Sequence, residues 1–231
     1  MNSLHVLFVH GWGFGPGCWH ALLDELTPST QNNSTRFNLG FSGPIRTSFP
    51  DDAPFIAVGH SLGFAWLLNE LAQQPDRFHA QCRGLVSING FSRFSQHKTF
   101  PAGVPVRIMR RMASQLGSDP AAVLKQFQEN SGLLQLGGVP KHSNAEKKRL
   151  TKGLSWLEKW DHRQTLDNWS GPLLILASED DRIVSPTLTQ ACFSSLDNTK
   201  PHWSRTGSHV LPLSRPDWCA NHIEDFIQAL N

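Results

Sequence analysis

Residues 55–64 read Phe-Ile-Ala-Val-Gly-His-Ser-Leu-Gly-Phe, an apolar run that leads into the pattern Gly-x-Ser-x-Gly. The apolar run predicts a buried strand, and the residues after Ser61 predict a helix over 62–73 with Pro75 beyond its end. Glycines two residues before and after the serine leave room for a tight bend, where a Cβ would clash. The stretch therefore predicts a sharp strand-to-helix turn that presents the Ser61 hydroxyl at the end of a strand.

Strand-like and helix-like segments alternate on both sides of this turn. Short apolar runs typical of strands lie at 4–10, 35–39, 84–88, 172–177 and 202–205. Helical patterns lie at 19–26, 186–196 and 216–230. This alternation predicts an α/β protein with a mostly parallel sheet and helices on both of its faces.

The periodicity changes between residues 92 and 167, where apolar residues recur at helical intervals. Asp119 and Pro120 are a typical N-cap and first helical residue, and a charged helix is expected over 143–154. We therefore divide the chain into a core, 1–91 and 168–231, and an inserted helical cap, 92–167.

The predicted cap is basic. Residues 98–163 hold 12 Lys and Arg against 5 Asp and Glu, a balance of +7, although the net charge of the whole chain is only +2. The excess indicates an acidic partner for the cap, and a solvated lysine-rich surface is the alternative.

Composition excludes several classes of protein. No apolar stretch approaches the roughly 20 residues that span a bilayer, and no basic segment precedes the first apolar run as in a signal peptide. The four cysteines lack metal-ligand spacing, which favours reduced, buried thiols. We expect a cytoplasmic, monomeric protein that needs no metal or cofactor and binds neither nucleic acid nor membrane.

A serine nucleophile needs a base, and the base needs a group that orients it. The acid candidate is Asp181, which follows the strand-like run 172–177, and its neighbours Glu179 and Asp180 are alternatives. The base candidate is His209, in a Gly- and Ser-containing loop before the last helix. His202 is its closest rival, but it begins a strand-like segment instead of following one. His10 and His60 flank motifs and are interpreted as structural.

A serine nucleophile that carries out acyl transfer also needs hydrogen-bond donors for the oxyanion that develops on the substrate. The backbone N–H of Leu62 is one candidate, and the N–H of Trp12, in the Gly-rich loop 10–13, is the other. A Gly-rich loop after a first strand can instead bind a dinucleotide. Here the spacing Gly11-x-Gly13-x-Gly15 departs from G-x-G-x-x-G, and no acidic residue closes a following strand.

With these motifs in the order serine, acid, histidine, the chain resembles the α/β-hydrolase superfamily over nearly its whole length. Within it, the chain most resembles the pimeloyl-[acyl-carrier protein] methyl ester carboxylesterases of biotin synthesis, through residues 10–13, 157–166 and 181–184. The resemblance implies an α/β-hydrolase fold, a Ser61–Asp181–His209 triad, and cleavage of a carrier-bound methyl ester.

The resemblance also implies an acidic acyl-carrier protein that meets basic residues of the cap. Phe127 lies roughly where the family's cap contacts the acyl chain, and a role in the cap core is the alternative. The candidate carrier contacts are Arg107, Arg110, Arg111, Lys147, Lys148, Arg149 and Lys152.

Other functions remain open at this point. A general short-chain carboxylesterase or a thioesterase would use the same triad, because acyl specificity depends on pocket shape. A haloperoxidase or C–C hydrolase is a further enzymatic alternative. A catalytically silent ligand receptor with this fold is the alternative from another class.

Overall fold

A computed structural model describes residues 4–133, 144–196 and 199–230. The described residues form one six-stranded sheet in the order β2–β1–β3–β4–β5–β6, in which every neighbouring pair is parallel. The strands are β1 (His5–Val9), β2 (Ser34–Phe37), β3 (Phe55–His60), β4 (Cys82–Ile88), β5 (Leu173–Ser178) and β6 (His202–Ser204). The predicted parallel sheet is confirmed, with strand ends displaced by one or two residues.

The central strands are covered on both faces. All residues of β3 are buried, as are all but the first residue of β1 and β5. Such continuous burial explains why the strands appear in the sequence as unbroken apolar runs and not as an alternation of apolar and polar residues.

Helices connect the strands, and several of them pack on the sheet. They are α1 (His20–Glu25), α2 (Pro28–Asn32), α3 (Leu62–Gln73), α4 (Pro75–Gln81), α5 (Val106–Ser118), α6 (Pro120–Ser131), α7 (Asn144–Lys159), α8 (Arg163–Asp167), α9 (Pro186–Phe193), α10 (Leu211–Ser214) and α11 (Pro216–Ala229). Helix α1 packs on α11, whereas α3 packs on α4 and α8.

Helices α5 to α8 lie between β4 and β5 in the chain, where the helical insertion was predicted. The Asp119 carboxylate accepts a hydrogen bond from the backbone N–H of Ala122 at 3.0 Å, and Pro120 is the first residue of α6, so this helix start is confirmed. The charged helix α7 extends to Lys159, beyond its predicted end. Helix α5 packs on both α6 and α7. The division of the chain into core and cap stays a prediction.

The sheet topology determines where polar side chains meet. Because all strands are parallel, their carboxyl ends lie at one edge of the sheet. Strands β3, β4, β5 and β6 are consecutive neighbours, and Ser61, Asn89, Asp181 and His209 follow them in that order.

Candidate active site

Ser61 occupies a strained backbone position at the junction of β3 and α3. Its φ of 54° and ψ of −125° are rare for a residue with a side chain. The flanking glycines permit this turn: a Cβ on Gly59 would lie 2.4 Å from the Cα of Phe64, and one on Gly63 would lie 2.0 Å from the carbonyl oxygen of Val9. The predicted strand-to-helix bend is confirmed.

A hydrogen-bonded chain connects Ser61, His209 and Asp181. The Nε2 atom of His209 lies 2.9 Å from Oγ of Ser61, and its Nδ1 atom lies 2.8 Å from Oδ2 of Asp181. The histidine and aspartate side chains are fully buried. The other oxygen of Asp181 accepts hydrogen bonds from the backbone N–H groups of Ile183 and Val184, at 2.7 and 2.9 Å. Both carboxylate oxygens are therefore occupied, and Nδ1 carries the proton that faces Asp181.

The rival candidates lie elsewhere. Glu179 is exposed, and His202 lies on the exposed end of β6 with its ring 4.9 Å from that of His222. Asp180 accepts hydrogen bonds from the hydroxyl of Ser178 and from the backbone N–H of Ser208, the latter at 2.7 Å. Although desolvation opposes it, these hydrogen bonds lower the pKa of Asp180 below its ordinary value. Asp180 thus supports the loop that carries His209 and does not contact the imidazole itself.

The two expected oxyanion donors lie next to the serine. Leu62 is the first residue of α3, so its N–H has no acceptor within the helix. Within the described part of the chain, the backbone N–H of Trp12 forms no hydrogen bond with another backbone group. The loop that carries Trp12 touches the serine, because a Cβ on Gly11 would lie 2.9 Å from Cβ of Ser61. Their role as oxyanion donors stays a prediction.

A cavity of about 680 Å³ opens above Ser61. Helices α5, α6 and α7 supply much of its apolar wall, including Ile108, Met109, Met112, Val123, Leu154 and Leu157. Phe127 also lines the cavity, and its ring contacts those of Trp12 and His209 at centroid distances of 4.9 and 6.3 Å. Phe127 therefore belongs to the packed core and also lines the cavity, and its contact with an acyl chain stays a prediction.

His10 and His60 are buried, as their structural interpretation requires. Nε2 of His60 donates a hydrogen bond to the carbonyl oxygen of His209 at 2.7 Å. Burial, together with the nearby His209, lowers the pKa of His60 well below its ordinary value. Nε2 of His10 accepts from the backbone N–H of Leu39 at 3.1 Å, and its Nδ1 donates to the Gly11 carbonyl oxygen. Burial lowers the pKa of His10 to about 4.

Sequence reasoning missed Asn89, which follows β4 and is buried at the same edge of the sheet. In the described residues, Ser61, Asn89 and Ser208 are the non-glycine positions with positive φ. Ser61 is hydrogen-bonded to His209, Ser208 precedes it in the chain, and Asn89 is hydrogen-bonded to Ser208. The sequence does contain a signal for Asn89, because a polar residue directly follows a buried strand there, and polar residues also follow β3, β5 and β6.

The predicted carrier contacts lie on two packed helices. Arg107, Arg110 and Arg111 are exposed on α5, where Arg110 pairs with Glu158 at 2.8 Å and Arg111 lines the cavity. On α7, Lys148 and Lys152 are exposed and Lys147 is half-buried. Arg149 is also half-buried, because its Nε donates to the Leu39 carbonyl oxygen and its guanidinium lies over the Trp156 ring.

The remaining sequence expectations concern thiols, metals and membranes. All four cysteines are free and buried, as predicted. The described residues contain no cluster of His, Cys, Asp and Glu side chains that could ligate a metal ion. None of their helices combines the length and apolar character that crossing a bilayer requires.

Comparison of the sequence with known proteins identifies relatives over nearly the whole chain. A sequence profile of the alpha/beta hydrolase family matches residues 6–222. The pimeloyl-[acyl-carrier protein] methyl ester esterase of Yersinia enterocolitica is 26% identical, with 98% of this chain and 94% of the relative covered. The biotin biosynthesis bifunctional protein BioHC of Cellvibrio japonicus is also 26% identical over 97% of this chain, which spans about half (48%) of that relative.

Solved structures show the same fold at lower sequence identity. A bromoperoxidase from Bacillus anthracis superposes with a TM-score of 0.80 at 14% identity, covering 98% of this chain and 92% of its own. An esterase from Exiguobacterium antarcticum superposes with a TM-score of 0.79 at 13% identity, covering 97% and 92%. The parallel sheet with its covering helices is thus the alpha/beta hydrolase fold. The chain belongs to the alpha/beta hydrolase family.

Proposed function

We propose that the chain hydrolyses the methyl ester of a pimeloyl group carried on an acyl-carrier protein, with Ser61, His209 and Asp181 as its catalytic triad. The observation that carries the proposal is the unbroken hydrogen-bonded chain from Asp181 through His209 to Ser61 at the floor of an apolar cavity. This arrangement has the geometry of a base held between a nucleophile and an orienting carboxylate.

The first half of the reaction forms an acyl-enzyme. Oγ of Ser61 attacks the ester carbonyl carbon while Nε2 of His209 takes the hydroxyl proton, and Asp181 stabilises the resulting imidazolium. The backbone N–H groups of Trp12 and Leu62 donate to the oxyanion, an interaction worth about 2.7–4 kcal/mol for each donor. When the tetrahedral intermediate collapses, the methoxy group leaves with the proton from His209 as methanol.

The second half restores the enzyme. A water molecule gives a proton to Nε2 of His209 and attacks the acyl-enzyme carbonyl carbon. Collapse of this second intermediate returns the proton to Oγ of Ser61 and releases a carboxylic acid on the carrier-bound chain, which ionises by giving its proton to solvent. Each proton that His209 accepts is passed on within the same half-reaction. No redox partner is needed, because ester hydrolysis changes no oxidation state.

Two observations support the substrate. The curated relatives with about 25% identity are named pimeloyl-[acyl-carrier protein] methyl ester esterases, and the cavity above Ser61 has the largely apolar wall that an aliphatic acyl chain fits. The exposed cations of α5 and α7 lie on the helices that form this wall, where an acidic carrier protein would bring its acyl chain to the cavity.

The decisive experiment incubates purified protein with pimeloyl-carrier-protein methyl ester and follows the mass of the carrier. The wild type is expected to remove the mass of one methylene group, the difference between a methyl ester and an acid, and Ser61→Ala is expected to leave the mass unchanged. Turnover of short nitrophenyl esters without any change in the carrier would replace this proposal with a general carboxylesterase.

Charge reversal tests whether the carrier protein docks on α5 and α7. Arg107→Glu on α5 and Lys148→Glu on α7 are each expected to lower kcat/KM for the carrier-bound ester about tenfold at low ionic strength, because exposed charges mainly steer association. Arg83→Glu is the matched control, since Arg83 is exposed near the amino end of β4, away from the cavity. Turnover of a nitrophenyl ester should be unchanged in all three variants, and equal effects of Arg83→Glu on the carrier substrate would contradict a docking surface on α5 and α7.

A further inference from the structure

Asn89 occupies a central place at the carboxyl edge of the sheet. It directly follows β4, the strand between the one that leads to Ser61 and the one that leads to Asp181. Its side chain is 1% exposed, and its φ is 46°, a left-handed conformation that asparagine tolerates better than most residues. A buried polar side chain on a strained backbone needs an explanation in terms of its partners.

The Asn89 amide joins two loops. Its Oδ1 accepts a hydrogen bond from the backbone N–H of Ser178 at 3.0 Å, and its Nδ2 donates to the carbonyl oxygen of Ser208 at 2.9 Å. A backbone N–H can only donate and a carbonyl oxygen can only accept, so this orientation of the amide is the one that satisfies both partners. Ser178 is the last residue of β5 and leads directly into the loop that carries Asp181, and Ser208 directly precedes His209.

The loop that carries His209 depends on such contacts. Ser208 has a φ of 51°, so its conformation is strained and has to be maintained by its surroundings. Its carbonyl oxygen is held by Asn89, and its N–H by the Asp180 carboxylate. A displacement of Ser208 would move the imidazole, whose two nitrogens must remain within hydrogen-bond distance of Ser61 and Asp181 at the same time.

We propose that Asn89 is a positioning residue, which fixes the loop of His209 relative to the loop of Asp181 and so keeps the imidazole aligned between the acid and the nucleophile. Asn89 does not line the cavity above Ser61, and therefore it should not contribute to substrate binding. Its loss should lower kcat and leave KM unchanged. The inference rests on the proposed function only in assigning the chemistry to Ser61 and His209, and it does not depend on the identity of the ester.

Two variants separate the effect of the Asn89 side chain from the effect of its backbone conformation. Asn89→Gly keeps a residue that accepts positive φ and deletes the amide. Asn89→Asp keeps the shape, but it places a carboxylate oxygen against the Ser208 carbonyl oxygen, where two acceptors repel each other. Asn168→Gly, at an exposed position after α8, is the matched control for an asparagine-to-glycine change.

Three measurements read the effect: kcat and KM on a short nitrophenyl ester, the rate of Ser61 labelling by a fluorophosphonate, and the downfield NMR signal of the His209 Nδ1 proton. We expect Asn89→Gly to lower kcat and the labelling rate about 10-fold to 100-fold, with KM within twofold of the wild type, because small misplacements of a catalytic group cost rates of this order. The downfield proton signal should broaden or disappear. Asn89→Asp should lose at least as much, and Asn168→Gly should match the wild type.

Several results would overturn the proposal. It fails if Asn89→Gly keeps kcat and the labelling rate within twofold, or if the loss appears as a higher KM. Should Asn89→Gly not fold, Asn89→Asp provides the same comparison. If the wild type labels at Ser61 but leaves the carrier-bound ester intact, the proposed substrate is wrong while the Asn89 comparison still holds. If the wild type does not label at all, an unchanged His209 proton signal in Asn89→Gly would still refute the positioning role.

Discussion

The carboxyl edge of the sheet and the helices α5 to α7 border the same cavity, but they are built in different ways. At the sheet edge, the side chains of the proposed triad are fixed by specific hydrogen bonds, as Asp181 is by the N–H groups of Ile183 and Val184. The helices contribute mainly apolar side chains to the cavity, and their exposed faces carry cations. Changes at the edge should therefore alter kcat, and changes in the helices should alter substrate preference.

The largest effect is expected at the nucleophile. Ser61→Ala should lower kcat on nitrophenyl acetate by roughly 10⁴-fold to 10⁶-fold, because the hydroxyl that becomes acylated is gone. Ser61→Gly should be equally inactive, yet more stable in urea unfolding by about 1 kcal/mol, since glycine relieves the strain at a φ of 54°. Activity that survives in both variants would locate the chemistry elsewhere, and the comparison of the two regions would lose its basis.

Two adjacent acids provide the next comparison. Asp181→Asn should lower kcat by about 10³-fold to 10⁴-fold, because an amide cannot stabilise the imidazolium of His209 and can favour the wrong tautomer. Asp180→Asn should cost roughly tenfold or less, since an amide oxygen can still accept from the N–H of Ser208. Steady-state kinetics on one nitrophenyl ester measures kcat of both variants. Equal losses in the two variants would mean that Asp180 contributes to catalysis as directly as its neighbour.

The polar edge should also make the protein sensitive to acid. Burial lowers the pKa of His10 to about 4 in the folded protein, whereas in the unfolded chain it is about 6.5. As the pH falls below 6.5, His10 is therefore protonated first in the unfolded chain. The free energy of unfolding consequently decreases between pH 6.5 and 4. His10 alone should account for about 3 kcal/mol of the unfolding free energy over this range. Urea unfolding at pH 7.5, 5.5 and 4.5 measures the slope of the unfolding free energy against pH. His10→Gln should flatten it, whereas His20→Gln, at an exposed position, should not.

The smallest effect is expected in the helices. Phe127→Leu enlarges the cavity beside His209 and should shift kcat/KM towards longer acyl chains by about threefold to tenfold relative to acetate. Leu124→Val is the control, because Leu124 is buried on the same helix without lining the cavity. A series of nitrophenyl esters of increasing chain length gives the profile of kcat/KM against acyl-chain length. An unchanged profile in Phe127→Leu, or an equal shift in Leu124→Val, would show that this wall does not select the acyl chain.

Sequence patterns predicted the elements that local chemistry determines. The Ser61 turn depends on two glycines four residues apart, and the start of α6 depends on Asp119 and Pro120, so each could be recognised within a few residues of sequence. Asp181 and His209 can be predicted because each follows a strand-like run, in the order that a serine hydrolase requires.

The functions of Asn89 and Asp180 could not be predicted in the same way. Each depends on which backbone atom of a distant loop faces it, and this is determined by the packing of three strands and not by neighbouring residues. The half-burial of Arg149 is a similar case, because its guanidinium covers Trp156 and its Nε reaches the carbonyl oxygen of Leu39. The sequence around Arg149 indicates only a cation on a basic helix.

Trp12 connects the two regions of the cavity. Its indole N–H donates to the carbonyl oxygen of Leu150 on α7 at 2.8 Å, and a Cβ on Gly153 of the same helix would lie 2.6 Å from its ring. Its backbone N–H is the expected oxyanion donor. An ester bulky enough to push α7 outward would therefore also displace this expected donor. If the donor acts as proposed, oversized substrates would be rejected through slower turnover as well as weaker binding.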